Sequence, residues 1–290
     1  MIDEKIKVTV IIPCFNHGKS IDRAVNSVLN QTFQNFEIII INDGSNIEKT
    51  NTKLSNYAKP KTKVIQISNQ GPSVARNTGI QEARGEYILP LDADDTIENT
   101  YLEKAVKILD ENNNVSIVCC NHRSILNYVL FKRVSYISCD YKFPECLLFR
   151  SKYLFTVASF FRRSDWEKVG GFNENMIHGW EDFDFWLSII ELGDKVYHIP
   201  EILFNYYGNR FSKSRDSLMT IENHKDSYLT MIHNHEKLYL DNIEILFKHS
   251  VDLTLALNKS KTLNKRLLRF IIFTFGLVVL SLILFLIGGV

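Results

Sequence analysis

Between residues 8 and 120 the sequence alternates short β-rich runs with stretches of helical periodicity, a pattern that specifies an α/β domain on a mostly parallel central sheet. VTVIIP (8–13) reads as a buried first strand, after which Ile21, Ala24, Val25, Val28 and Leu29 fall on one face of a helix. Further strands are expected at FEIIII (36–41), KVIQI (63–67), GEYILPL (85–91) and VSIVCC (115–120). Gly71-Pro72 opens a helix that closes before Gly85, and another helix is expected near 98–111. Beyond 120 the pattern becomes irregular, with a strand expected at 153–161, a helix from about 180 to 192, short segments around 195–207 and amphipathic helix over 215–260.

Charge and cysteine usage narrow the classes. A net charge of +1 over 290 residues leaves no basic footprint for a nucleic-acid partner. Cys14, Cys119, Cys120, Cys139 and Cys146 are odd in number and show no CxxC spacing, which favours reduced thiols over a zinc knuckle or a disulfide framework. The opening MIDEKIKVTVII carries acids before its short apolar run and no small-residue cleavage site, so a cytoplasmic location is expected. By contrast, FIIFTFGLVVLSLILFLIGGV (270–290) contains no charged residue over a length sufficient to span a bilayer core of roughly 30 Å. Lys261, Lys265, Arg266 and Arg269 precede it, which by the positive-inside tendency places that flank in the cytoplasm.

In an open parallel sheet, ligands bind beyond the carboxyl ends of the strands. Three such ends are polar here: Asn16, His17 and Gly18 after the first strand; Asn42, Asp43, Gly44 and Ser45 after the second; and Asp92, Asp94 and Asp95 of ILPLDADDTI after the fourth. Two like charges about 4 Å apart repel by about 4 kcal/mol at an effective dielectric near 20, so the last group either splays into water or holds a cation. Asp92 and Asp94, two apart, share a face if the strand continues, an arrangement suited to Mg²⁺ or Mn²⁺ completed by substrate phosphates. Glu181, Asp182 and Asp184 fall near an expected helix start, where the helix dipole also favours acids.

The segments VTVIIPCFNHG, IIINDGS, NQGPSVARNTGI, ARGEYILPLDADD and GGFNENMIHGWEDFDFW, taken in order over about residues 8–190, resemble the family 2 glycosyltransferases, which have the GT-A fold. The resemblance implies a metal-dependent, inverting transfer of a sugar from a nucleotide-sugar, commonly a UDP-sugar. It implies donor contacts at Pro13, Asn16, Asp43, Arg76 and Asp92, a divalent metal (Mn²⁺ or Mg²⁺) on Asp94 and Asp92, and Asp182 as general base. Glu181, Trp180 and His178 are then candidates for the acceptor side, and Trp180 and Trp186 could stack on sugar rings or pack in the core. The chain departs from the family where a late histidine commonly helps hold the metal: here stands LFNYYGNRFSKS, with Tyr207 near that place. His198 reads as structural, His233 and His235 as surface residues.

The layout expected is a GT-A domain over 1–212 (donor half about 1–120, acceptor half about 121–212), a helical connector over 213–266 and a transmembrane helix over 267–290. Anchoring suggests a glycan or lipid-linked acceptor, as in cell-surface polysaccharide synthesis. Two other readings compete. LDADDTI also fits the DxDxT pattern of haloacid-dehalogenase-like phosphatases, with Asp92 as nucleophile and Asp94 as proton donor, although that motif normally follows a first strand. A membrane-tethered sugar-nucleotide binding module without catalysis is the other. Neither GxGxxG nor GxxxxGK[ST] stands in the required strand-to-helix context.

Overall fold

The computed structural model describes residues 5–127, 132–138, 141–148, 156–193, 195–208 and 220–259. The expected transmembrane helix at 267–290 lies outside the described residues, as do parts of the expected connector and Cys139. Among the described residues, no helix is long and apolar enough to cross a membrane.

The first half follows the sequence closely. β1 (Val8–Cys14) leads through α1 (Ile21–Leu29) to β2 (Phe36–Asp43), α2 (Glu48–Ser55) to β3 (Thr62–Ile67), and α3 (Pro72–Gln81) to β4 (Tyr87–Pro90). These strands pair in parallel in the order β3-β2-β1-β4. Alternate residues of β1 and β2 divide between two cores, the period-2 consequence of covering both faces of a parallel sheet. Val8, Val10, Ile12, Ile38 and Ile40 pack with the apolar faces of α1 and α4 (Tyr101–Glu111). Ile11, Ile39 and Ile41 pack with Ala75 and Ile80 of α3 on the other side. α2 is not legible in the sequence because its segment EKTNTKLS buries only Thr50 and Leu54.

Close approach of α3 to the sheet depends on Gly79. A Cβ there would lie 2.7 Å from Ile11 Cγ2, inside van der Waals contact with a fully buried, stiff side chain. Alanine improves helix propensity by about 1 kcal/mol, whereas overpacking a tight core costs about 1–3 kcal/mol. Gly79→Ala is therefore expected to lower the melting temperature by a few degrees in a thermal scan, because the steric cost exceeds the propensity gain.

The second half departs from the expected mostly parallel sheet. β8 (Phe160–Arg162) runs antiparallel to both β4 and β6 (Val115–Asn127); β7 (Lys132–Ile137) is antiparallel to β6. β9 (Lys195–Gly208) lies parallel to β6 and carries the two-residue β5 (Thr96–Ile97) antiparallel on its far side. The sheet is thus mixed. β6 runs about twice as far as the run at 115–120 indicated, and the short segments expected around 195–207 form one continuous β9, because register shifts at Cys120/Asn121 and Asn121/His122 break the alternation that would mark a continuous strand. The strand expected at 153–161 is reduced, within the described residues, to Phe160–Arg162, followed by α5 (Arg163–Val169).

α6 (Glu181–Ile190) is apolar on two sides, as a helix enclosed by protein must be. Phe185, Trp186 and Ile189 join the core behind the sheet, whereas Phe183 and Leu187 pack with Met231, Ile232, Tyr239 and Leu246. Those partners come from α7 (Ile221–Asn234), α8 (Glu236–Asp241) and α9 (Ile243–Lys259). The described part of the expected connector is therefore seated on α6. Trp186 is fully buried in the core and does not face a sugar-binding surface.

Candidate active site

Parallel pairing brings the carboxyl ends of β2, β1 and β4 side by side, and their polar loops meet there. Pro13 lies near the end of β1, half-buried and paired in register with Ile41. Asn16 has a positive φ of 67°, which asparagine tolerates better than most residues. Its side-chain oxygen accepts the N–H groups of Asn46 and Ile47, both at 3.0 Å, and its Nδ2 donates to Asn46 Oδ1 at 2.8 Å. The Asn16 amide thus ties the β1 loop to the β2 loop. Asp43 is buried, and its two carboxylate oxygens accept the backbone N–H groups of Gln70 (2.8 Å) and Gly71 (3.0 Å), fixing the start of α3 against the end of β2.

The acidic stretch is a turn and not a continuation of β4. The strand ends at Pro90, and Asp95 N–H donates to the Asp92 carbonyl at 3.0 Å, so the same-face expectation for Asp92 and Asp94 does not apply. Asp95 is buried and accepts the backbone N–H of Tyr207 at 2.7 Å, which joins the turn to the end of β9. Arg23 of α1 donates to the Asp94 main-chain oxygen, and its guanidinium lies 3.7 Å from the centre of the Tyr207 ring. Tyr207 thus meets the turn through its main-chain N–H and meets Arg23 through its ring. His17 Nδ1 is 3.8 Å from Asp94 Oδ2. Burial and then the Asp92 charge hold the Asp94 carboxyl above the usual range; the same two causes, with Asp94 added, hold Asp95 well above it.

Arg76 joins this turn to the start of α6. Gly71, Pro72 and the packing of Ala75 and Gly79 place α3 so that Arg76 is buried between the two, at 3.1 Å from Asp92 Oδ1 and 2.8 Å from Glu181 Oε1. Burial opposes its charge, but the charges of Asp92, Glu181 and Asp182 outweigh that cost and hold it protonated more firmly than a free arginine. Its buried Nε has no hydrogen-bond partner among the described residues. Asp182, next in the chain, has its carboxyl pushed up to about 7 by burial and then by the Glu181 charge, against the pull of Arg76. A carboxyl held this high can exchange its proton near neutral pH, which suits it to accepting one.

Trp180 introduces α6 in the left-handed region (φ 69°), an unusual conformation for a bulky residue. Its ring packs against Phe183 and Tyr228, and its carbonyl accepts the first-turn N–H of Asp184 at 2.9 Å. His178 is half-buried in the loop just before it. Away from the site, His198 Nε2 lies 2.7 Å from Asn121 Oδ1, in keeping with a structural role. His233 is exposed as expected, but His235 is buried between Asp184 and Glu191. Nothing in the local sequence marks that burial, because the carboxylates come from α6 and the residue that follows it, more than forty positions earlier. Arg23 escapes sequence reasoning for the same reason, its partners lying near 94 and 207.

A mixed sheet of this order, with an acidic turn beyond the fourth strand and a second acidic pair converging on it, defines a glycosyltransferase of the GT-A type. The chain belongs to glycosyl transferase family 2, whose model matches residues 9–170. It is 44% identical over 110 residues to an uncharacterized glycosyltransferase of Rickettsia bellii, covering 37% of this chain and 16% of that protein. Chondroitin synthase of Pasteurella multocida is 32% identical over 206 residues, or 68% of this chain and 20% of the relative. The chain therefore spans a small part of these relatives' length. Among solved structures, S. aureus TarS 1-349 in complex with UDP-GlcNAc shares the fold, with a TM-score of 0.64 at 19% identity over 79% of this chain and 66% of that one. The phosphatase reading is set aside: its motif normally follows a first strand, and the acids here follow the fourth in a chain of another family.

Proposed function

We propose that the chain is a metal-dependent, inverting glycosyltransferase that moves a sugar from a UDP-sugar to a glycan or lipid-linked acceptor, in cell-surface polysaccharide synthesis. The observation that carries this reading is the double engagement of Arg76, which draws the Asp92 turn and the Glu181-Asp182 pair into one site. Donor binding falls to the loops with Pro13, Asn16 and Asp43, to Asp92, and to Arg76, whose free Nε supplies a hydrogen-bond donor. Asp182 takes the proton of the acceptor hydroxyl as its oxygen bonds to the anomeric carbon; the carbon–oxygen bond to the diphosphate breaks and the nucleotide leaves with that electron pair. Attack opposite the leaving group inverts the anomeric centre. Trp180, Glu181 and His178 border the acceptor side. The likeness to TarS, solved in complex with UDP-GlcNAc, and to chondroitin and hyaluronan synthases of Pasteurella multocida favours an N-acetylhexosamine or related hexose donor.

Asp94 and Asp92 fit a hard divalent cation: both carboxylates keep open edges, at 28% and 38% exposure, and the proton affinity of Asp94 marks a negative potential awaiting neutralisation. Among the described residues no group of three His, Cys, Asp or Glu is disposed to hold a metal alone, so donor phosphates would complete the shell. When bound, Mn²⁺ or Mg²⁺ stabilises the charge on the departing diphosphate as a Lewis acid. Anchoring through 267–290, with the catalytic domain in the cytoplasm, rests on the lack of charge over 270–290 and on the basic flank before it.

A thermal-shift panel of UDP-glucose, UDP-galactose, UDP-N-acetylglucosamine and UDP-glucuronate, each with and without Mn²⁺, tests the reading. One donor is expected to raise the melting temperature only when Mn²⁺ is present, by the mass-action stabilisation of about 2.7 kcal/mol reached at a hundredfold excess over Kd. Stabilisation by nucleotide-sugar that is indifferent to Mn²⁺ would refute the metal assignment, and no stabilisation by any member would refute the UDP-sugar assignment.

A further inference from the structure

His235 stands where α7 ends and α8 begins, and it is almost completely removed from solvent. Its Nδ1 lies 2.7 Å from Glu191 Oε2 and its Nε2 3.3 Å from Asp184 Oδ1. Asn234, the preceding residue, donates from Nδ2 to the same Asp184 oxygen at 2.7 Å. Asp184 is itself buried on α6, two residues beyond Asp182, and Glu191 immediately follows the helix. The corner of the helical segment therefore grips the back of α6 through Asp184 and the end of the helix through Glu191. A second contact holds the front, where Tyr228 of α7 packs at 5.8 Å from Trp180, the residue that introduces the helix. Between the grips lies the apolar contact of Phe183 and Leu187 with Met231, Ile232 and Tyr239.

We propose that His235 is a positioning residue for the active-site helix: held between Asp184 and Glu191, it fixes the α7–α8 corner against α6 and so holds Glu181 and Asp182 where Arg76 meets them. The proposal rests on the reading of Asp182 as the base. A buried Asp184 carboxylate and a partly exposed Glu191 carboxylate on opposite sides of one buried imidazole favour a ring that carries a proton on each nitrogen. Burial opposes that charge, and the nearby charges of Asp184 and Glu191, with the hydrogen bond to Glu191, outweigh it, raising the imidazole pKa. Other titratable groups nearby are Glu174, across a cavity of about 410 Å³ that Asp184, Glu191 and His235 also line; Lys195, Lys237 and Asp241, which line a second cavity with Glu191; and Tyr228, Tyr239 and Cys146, which lie near one another around Asp184. A raised pKa means that the grip is complete below the ordinary imidazole range and is lost as pH rises through the higher folded value.

Amide hydrogen exchange on the full-length chain tests the proposal without reference to substrate. In His235→Ala, exchange across 181–190 is expected to rise by about tenfold while β1 to β4 keep wild-type protection. His235→Gln, which can still donate to Asp184, recovers part of it. With the UDP-sugar selected by the thermal-shift panel, kcat falls in His235→Ala while KM for that donor holds, since the donor loops are untouched. If alanine prevents folding, the wild-type chain supplies the measurement: exchange at 181–190, corrected for intrinsic rates, should rise as pH increases from below the ordinary imidazole range to well above it. Unchanged exchange at 181–190, or a rise confined to 221–259, overturns the proposal. Asp182→Asn run in parallel separates it from the reading beneath: turnover retained there refutes the base, whereas the exchange data still decide the role of His235.

Discussion

Replacing Arg76 with alanine should cost both activity and fold. Among the described residues its guanidinium is the sole cation within ion-pair distance of Asp92 and Glu181, and it sits in a buried position where alanine leaves no substitute charge. Removing one partner of a buried ion pair costs about 3–5 kcal/mol because the other charge is left uncompensated. Asp92 is more than a third exposed and can turn to water, so Glu181 bears most of the loss and the lower end of that range is expected. Turnover should fall by about 10²–10³-fold, the usual effect of removing one preorganised charged donor from an active site. A second readout is diagnostic: Arg76 pulls the Asp182 carboxyl down, so its removal shifts the rising limb of the kcat–pH profile to higher pH. Lysine should not rescue, because a single ammonium lacks the fork that reaches two carboxylates at 3.1 and 2.8 Å. A lysine variant with wild-type turnover, measured as nucleotide release, would show that the bridge has no catalytic role.

The same residue shows what the sequence could and could not say. The parallel half was legible because β1 and β2 are apolar on both faces and α1 and α4 are strongly one-sided. The site's acids were legible as motifs that follow strand ends. What remained hidden was pairing over distance. Arg76 meets Glu181 across 105 positions, and no spacing rule reaches so far. Direction was hidden as well: β6 and β9 mix polar and apolar residues around irregular register, so neither length nor orientation could be read from periodicity. Asp92 and Asp94 illustrate a subtler limit. Strand alternation stops where Pro90 ends the strand, and a turn hydrogen bond, not a pleat, governs where those carboxylates lie. His235 looked like a surface residue because the polar segment around it gives no hint that α6 supplies the buried Asp184, and the helix end Glu191, on either side of its ring.

Asparagine at 182 should abolish transfer while leaving donor binding intact, because the change keeps shape and removes only the proton acceptor. A positioned general base contributes about 10²–10⁴-fold, and a loss of that size is expected in kcat. In the wild-type chain the carboxyl is held near 7, and only its ionised form accepts a proton. Turnover should therefore rise as pH increases through neutrality and level off above it, and the variant's residual rate should lack that limb. Stability moves the other way. A carboxyl whose folded pKa lies above its unfolded value is unfavourable to ionise in the native state, so wild-type stability declines as pH rises from about 4 through 7. The asparagine variant carries no such penalty and should melt higher than the wild type at about pH 8, as expected where function retains a charge that the fold alone would discard. Thermal melts at two pH values and a kcat–pH profile check both signs. A variant that loses activity but melts lower at high pH would place Asp182 among the residues that hold the fold. A variant that keeps both turnover and its pH limb would move the base elsewhere in the Glu181-to-Asp184 turn.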